Sequence, residues 1–134
     1  MSTEKLENVW YLDDQRQEKQ GVFILRRLLA DESTQLLALS QKRTVERDGQ
    51  KSSELDEGMY IKLKLALMIT ECPIRWNGMD WSKIPDIRTK ATALGQFIED
   101  DTLVMLGQKA KSMSRYDKGN EQNPTEVENL SGPQ

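Results

Sequence analysis

The stretch that most constrains this chain is ELDEGMYIKLKLALMITEC, residues 54–72, followed at once by Pro73. Leu55, Met59, Leu63, Ala66, Leu67 and Thr70 form one face at helical spacing, and Ile61, Leu65, Met68 and Ile69 cover much of the rest. A helix this apolar needs other elements on several sides, so the fold is expected to be built around it. Ser53 and Asp56 stand at capping-box spacing before it, with Asp in the place usually taken by Glu. Pro73 is expected to end it, because proline lacks an N–H and disfavours helical geometry in the residue before it.

The following segment, IRWNGMDWSKIPD, carries two of the three tryptophans. Its position predicts a turn in which Trp76 and Trp81 fold back over the ends of the flanking helices. The same residues, with Arg75, also suit an exposed aromatic anchor in a partner interface.

Upstream, NVWYL (8–12) and VFILRRL (22–28) are rich in β-branched and aromatic residues, and the polar DDQRQEKQG lies between them, predicting a β-hairpin over about residues 8–28. Asp31 and Ser33 offer N-caps for a helix to about Arg47, with Leu36, Leu37, Leu39 and Ser40 beginning its inner face. RDGQKSS (47–53) reads as a turn. Downstream, Asp86 can cap a helix carrying Ile87, Ala91, Leu94 and Ile98, and the acids at 99–101 interrupt it and cap a last helix with Leu103, Leu106, Ala110 and Met113 on one side.

At 134 residues the chain suits one domain with a modest core. The expectation is a mainly α fold: a single helical domain over residues 1–116 with an N-terminal β-hairpin, then a flexible, disordered acidic tail over 117–134. Asp117, Glu121, Glu126 and Glu128 against Lys118 place the whole net charge of −3 in that tail. Within it Asn123 can cap, Pro124 suits the first helical position, and Val127 and Leu130 share one side of a short helix over 124–130. Such a helix is too short and polar to hold alone in water, so it either folds on a partner or is a solvated end.

The neutral body lacks the clustered Lys and Arg that a phosphate-tracking surface needs, which argues against nucleic acid as a partner. No apolar run approaches the ~20 residues of a membrane span, and MSTEKLE has no basic-then-apolar signal pattern, so no membrane partner is expected and the protein should stay in the cytoplasm where it is made. The lone Cys72 fits a reducing compartment.

Histidine is absent, removing the commonest general base and the commonest zinc ligand together. Cys72, beside a proline at the end of an apolar helix, reads as a structural thiol. Asp13-Asp14, Asp31-Glu32 and the acids at 99–101 lie at turns or helix starts, where they favour the helix dipole. No calcium loop and no phosphate-cradling glycine loop appears. No catalytic, cofactor-binding or metal-ligating residue is nominated, and an enzyme is not expected.

The order of elements, from Leu28 to Glu32 at a helix start, through IRWNGMDW after a central apolar helix, to the D-x-L-x-x-L pattern at 101–106, resembles the tail assembly chaperones of long-tailed bacteriophages over roughly residues 20–130. The resemblance implies a non-enzymatic chaperone in the host cytoplasm. It would coat the helical tape-measure protein, help recruit tail tube subunits, and be displaced from finished particles. It also implies a longer form made by −1 frameshifting, for which codons of Lys118-Gly119-Asn120 could supply a slippery heptamer. Partner contacts are expected at Leu36, Leu37, Trp76, Trp81, Leu103, Leu106, Val127 and Leu130, with self-association as a further expectation. A head–tail connector or completion protein of the virion, and a small regulator or inhibitor of a host protein, fit the same sequence.

Overall fold

The computed structural model describes residues 2–41, 45–47, 49–52 and 54–116. Ser53, the segment Lys118–Asn120, the expected helix at 124–130 with Val127 and Leu130, and the rest of the acidic tail lie outside the described residues.

The chain opens as an antiparallel hairpin of β1 (Thr3–Leu12) and β2 (Glu18–Arg26). Its strands are longer and its turn shorter than expected. Asp13 organises the turn: its Oδ1 accepts from the backbone N–H groups of Gln15 at 2.8 Å and Gln17 at 2.9 Å, and Arg16 takes a left-handed φ of 64°. Once the turn is tied at Asp13, the polar Glu18, Lys19 and Gln20 can pair through their backbones with Leu12, Tyr11 and Trp10. A bulge between Leu6 and Val9, with Asn8 at φ 61°, resets the alternation so that Val9 faces inward and is buried.

Helix α1 (Ala30–Ser40) begins after Leu29, not at Asp31 or Ser33. The Glu32 carboxylate accepts from the Leu29 N–H at 2.8 Å and takes a two-pronged bond from the Arg26 guanidinium at 2.8 and 2.6 Å, joining the helix start to the end of β2. α1 stops at Ser40, well short of Arg47. Ser40 Oγ donates to the Leu36 carbonyl at 2.6 Å, and the Ser40 carbonyl accepts from the Asp56 N–H at 2.8 Å. Between these points β3 (Val45–Arg47) and β4 (Gln50–Ser52) form a small hairpin, with Gly49 in its turn at φ 78°.

Helix α2 (Glu57–Met68) is capped by Asp56, whose side chain accepts from the Met59 N–H at 3.1 Å. The helix does not reach Cys72. It passes directly into β5 (Ile69–Glu71), which pairs antiparallel with β2 and gives the sheet order β1-β2-β5. Ile69 and Thr70 are β-branched, and pairing on β2 satisfies a ladder that would otherwise be open. Ile69 is thereby buried, and Thr70 Oγ1 donates to the Ile24 carbonyl at 3.2 Å.

Strands β6 (Arg75–Trp76) and β7 (Met79–Asp80) then form a tight hairpin through Asn77 and Gly78, at φ 51° and 79°. Positive φ at both central residues is the geometry that matches strand twist, and Asn-Gly is its usual pair. A 3-10 turn (Trp81–Lys83), α3 (Ile87–Phe97) and α4 (Asp100–Ser112) complete the described chain. Asp86 caps α3 as its position implied, accepting from the Thr89 N–H at 2.8 Å and Thr89 Oγ1 at 3.0 Å.

The mainly α expectation is therefore corrected to a small mixed α/β domain with, among the described residues, four helices, a three-stranded antiparallel sheet and two short hairpins. Phe23 and Leu25 from the sheet, Leu36 of α1, Leu63 and Leu65 of α2, Ile74, Leu94 of α3 and Leu106 of α4 are almost wholly buried in one cluster. Burying each such side chain contributes about 1.5–3 kcal/mol.

Candidate partner-binding groove

α1, α3 and α4 all pack against α2, and the sheet covers the end where α2 becomes β5. On α2, Tyr60, Lys64 and Met68 recur at four-residue intervals and line one cleft with Ser33 of α1, Ala110 of α4, and Ser114, Arg115 and Tyr116 just beyond α4. Arg27 and Leu28, between β2 and α1, close its end. The cleft has a volume of about 320 Å³. α2 is thus a floor, with α1 and α4 as walls.

The faces continue beyond the cleft. Leu37 stands one turn after Ser33 on α1 and is 50% exposed. Ile61, next to Tyr60, is partly exposed and lies against Gly107 of α4, where a Cβ would meet its Cγ2 at 3.7 Å. Leu103, one turn before Gly107, is half-buried. Val104 and Met105 stand exposed on the neighbouring side of α4.

The expected contact residues therefore separate. Leu37 and Leu103 lie outside the lining of the cleft, Leu37 exposed and Leu103 half-buried. Leu36, Trp81 and Leu106 are 1%, 2% and 0% exposed and belong to the core. Trp81 donates its indole N–H to the Ile69 carbonyl at 3.1 Å, just past α2, and Lys90 lies 5.2 Å above its ring. Trp76 is half-buried and meets Phe97, the last residue of α3, edge-on at 6.3 Å. The two indoles close over the ends of α2 and α3. Arg75 is spent on this turn, donating to the Gly78 carbonyl and lying 3.6 Å from Asp80.

Neither a family model, nor a curated protein, nor a solved structure matches this chain.

The residues that the sequence did not single out are the charged and aromatic ones of the cleft: Arg27, Tyr60, Lys64, Arg115 and Tyr116. Lys64 lies 5.9 Å above the Tyr60 ring, and Arg27 Nη1 donates to the Met113 carbonyl at 3.1 Å. Only the Tyr60 to Lys64 spacing was a local signal.

Burial pushes the Cys72 thiol up to about 12, which keeps it protonated and poorly nucleophilic at neutral pH. Among the described residues no group of three or more Cys, Asp or Glu is placed to hold a metal ion. No described helix is long and apolar enough to cross a membrane.

Proposed function

We propose that this chain is a non-catalytic binding protein that holds a helical segment of a client in the groove over α2, acting as a phage tail assembly chaperone in the host cytoplasm. The observation that carries the reading is the cleft over α2: α1 and α4 both pack against α2, a partly apolar cleft lies among the three, and Leu37, Ile61 and Leu103 stand on the same helices outside its lining. An amphipathic helix laid along such a groove buries its apolar face on these side chains. The order of elements supports the finer assignment through its resemblance to the chaperone family, with the tape-measure protein as the helical client and tail tube subunits as the second partner. The mixed α/β fold leaves that order intact, since β5 and the small hairpins replace helix ends and turns without moving the helices in sequence.

The test is affinity capture of the tagged full chain from cells producing the whole phage or locus, followed by mass spectrometry. Recovery of a very long helical protein together with the tube subunit, lost in Leu37→Glu, supports the chaperone. Recovery of portal and connector proteins, with the chain present in purified virions, replaces it with a head–tail connector; recovery of a single host protein replaces it with a regulator.

A further inference from the structure

The cleft at the end of the groove has an electrostatic character that the rest of the body lacks. Its lining brings together Arg27, Lys64 and Arg115 from three separate stretches of chain and, among the described residues, includes no carboxylate. Glu32, next to Ser33 of the lining, is held by Arg26 and by the Leu29 N–H. Leu28, Met68 and Ala110 give the same cleft an apolar surface, and Ser33, Ser114, Tyr60 and Tyr116 add hydroxyls.

We infer that this cleft is an anion subsite which selects a client helix carrying carboxylates beside its apolar face. The inference rests on the groove reading above. Three cations with no counter-charge among the described lining residues favour a negatively charged occupant. The apolar patch requires that the charge be attached to hydrophobic side chains. Arg27 donates from one guanidinium nitrogen to the Met113 carbonyl and from another to Ser2 Oγ, and Lys64 sits over Tyr60, so the fold already positions both of these cations. The apolar part of the lining suits glutamates borne on a hydrophobic helix better than a free phosphate, which brings no apolar surface to bury. The occupant is therefore an acidic amphipathic peptide helix.

The experiment uses the full chain and two synthetic peptides: an amphipathic helix with leucines on one face bordered by glutamates, and the same peptide with each glutamate replaced by glutamine. Fluorescence anisotropy reads binding at low and high salt. The glutamate peptide is expected to bind about fivefold to tenfold more tightly, with the advantage lost at high salt and in the Lys64→Gln, Arg115→Gln double variant. Both substitutions are at positions where the side chain is not wholly buried, and thermal unfolding checks that the variant remains folded.

Equal binding of the two peptides, each weakened by Leu37→Glu, overturns the subsite and leaves the groove standing. Glutamate-dependent binding that ignores Leu37→Glu keeps the subsite and removes the groove. Binding of neither peptide overturns both. If Glu121→Gln, Glu126→Gln and Glu128→Gln together tighten binding of the glutamate peptide, the chain's own acids are the occupant and the client assignment fails. Dimers in sedimentation that the double variant dissolves assign the cleft to a second copy and likewise overturn it.

Discussion

Pro73 lies directly against Gly21. A Cβ built on Gly21 would stand 2.7 Å from Pro73 Cγ and 3.1 Å from Tyr11 Cε1, so β2 can accommodate the segment after β5 only because this position has no side chain. Proline here both follows the strand and seals it against the hairpin.

Gly21→Ala is expected to destabilise the protein by about 1–3 kcal/mol, the usual range for overpacking. Because the clash is with a named atom, Pro73→Ala should recover part of the loss, and urea unfolding of the two single variants and the double variant measures that coupling. Additive losses would show that Pro73 is not the obstacle.

Trp81→Phe keeps most of the buried ring but removes the N–H that the Ile69 carbonyl accepts at 3.1 Å. Leaving that buried acceptor unpaired is expected to cost about 1–3 kcal/mol, read as a lower urea midpoint. Trp76→Phe loses no hydrogen bond among those the described structure assigns to its side chain, and retains an aromatic edge against Phe97, so its effect should be smaller.

Glu32 gives the fold a dependence on acid. The Arg26 guanidinium, and then the Leu29 N–H, hold its carboxyl below the usual glutamate range. A depressed folded value means that its contribution is complete above that range and is lost as pH falls through the folded value. Glu32→Gln is expected to lower stability at pH 7 by about 1–2 kcal/mol and to flatten the acid side of a stability-against-pH curve. A curve of unchanged shape would place the dependence elsewhere.

Cys72 should resist thiol reagents in the native protein at pH 8, since burial raises its thiol to about 12, and should react freely once urea unfolds the chain. Ellman's reagent distinguishes the two states. Fast native labelling would mean that the segment between β5 and β6 opens readily.

Leu36 and Leu37 are neighbours with opposite roles. Leu36→Ala is expected to cost about 2–5 kcal/mol by opening a core cavity. Leu37→Ala should leave stability nearly unchanged and lower client capture instead. Thermal unfolding and the capture assay together separate them.

That pair also shows where sequence reading stops. Consecutive leucines both fit an apolar helix face, and only the exact end of α1 at Ser40 decides which points inward. Ala91, Leu94 and Ile98 were legible because Asp86 fixed the start of α3 and the 3.6-residue period did the rest. β5 was not legible: Ile69 to Glu71 continues an apolar helical pattern, and what turns it into a strand is β2, which lies far away in sequence. The hairpin at Asn77-Gly78 carried a local signal, which its two flanking tryptophans overshadowed. The cationic cleft was hidden for the same reason as β5. Arg27, paired with Arg26, and Lys64 and Arg115 lie far apart in the sequence, indistinguishable from solvated charges until the chain folds them to one place.

The passage of α2 into β5 without an intervening residue has a mechanical consequence. A helix joined to its neighbour by a loop can roll about its axis; this one is clamped by a hydrogen-bonded ladder at its C-terminal end and by Asp56 at the other. The floor of the groove therefore behaves as a fixed rail. If the proposed function holds, clients of different girth are accommodated by the side chains of α1 and α4, and a client that demands rotation of the floor must first unzip part of the sheet.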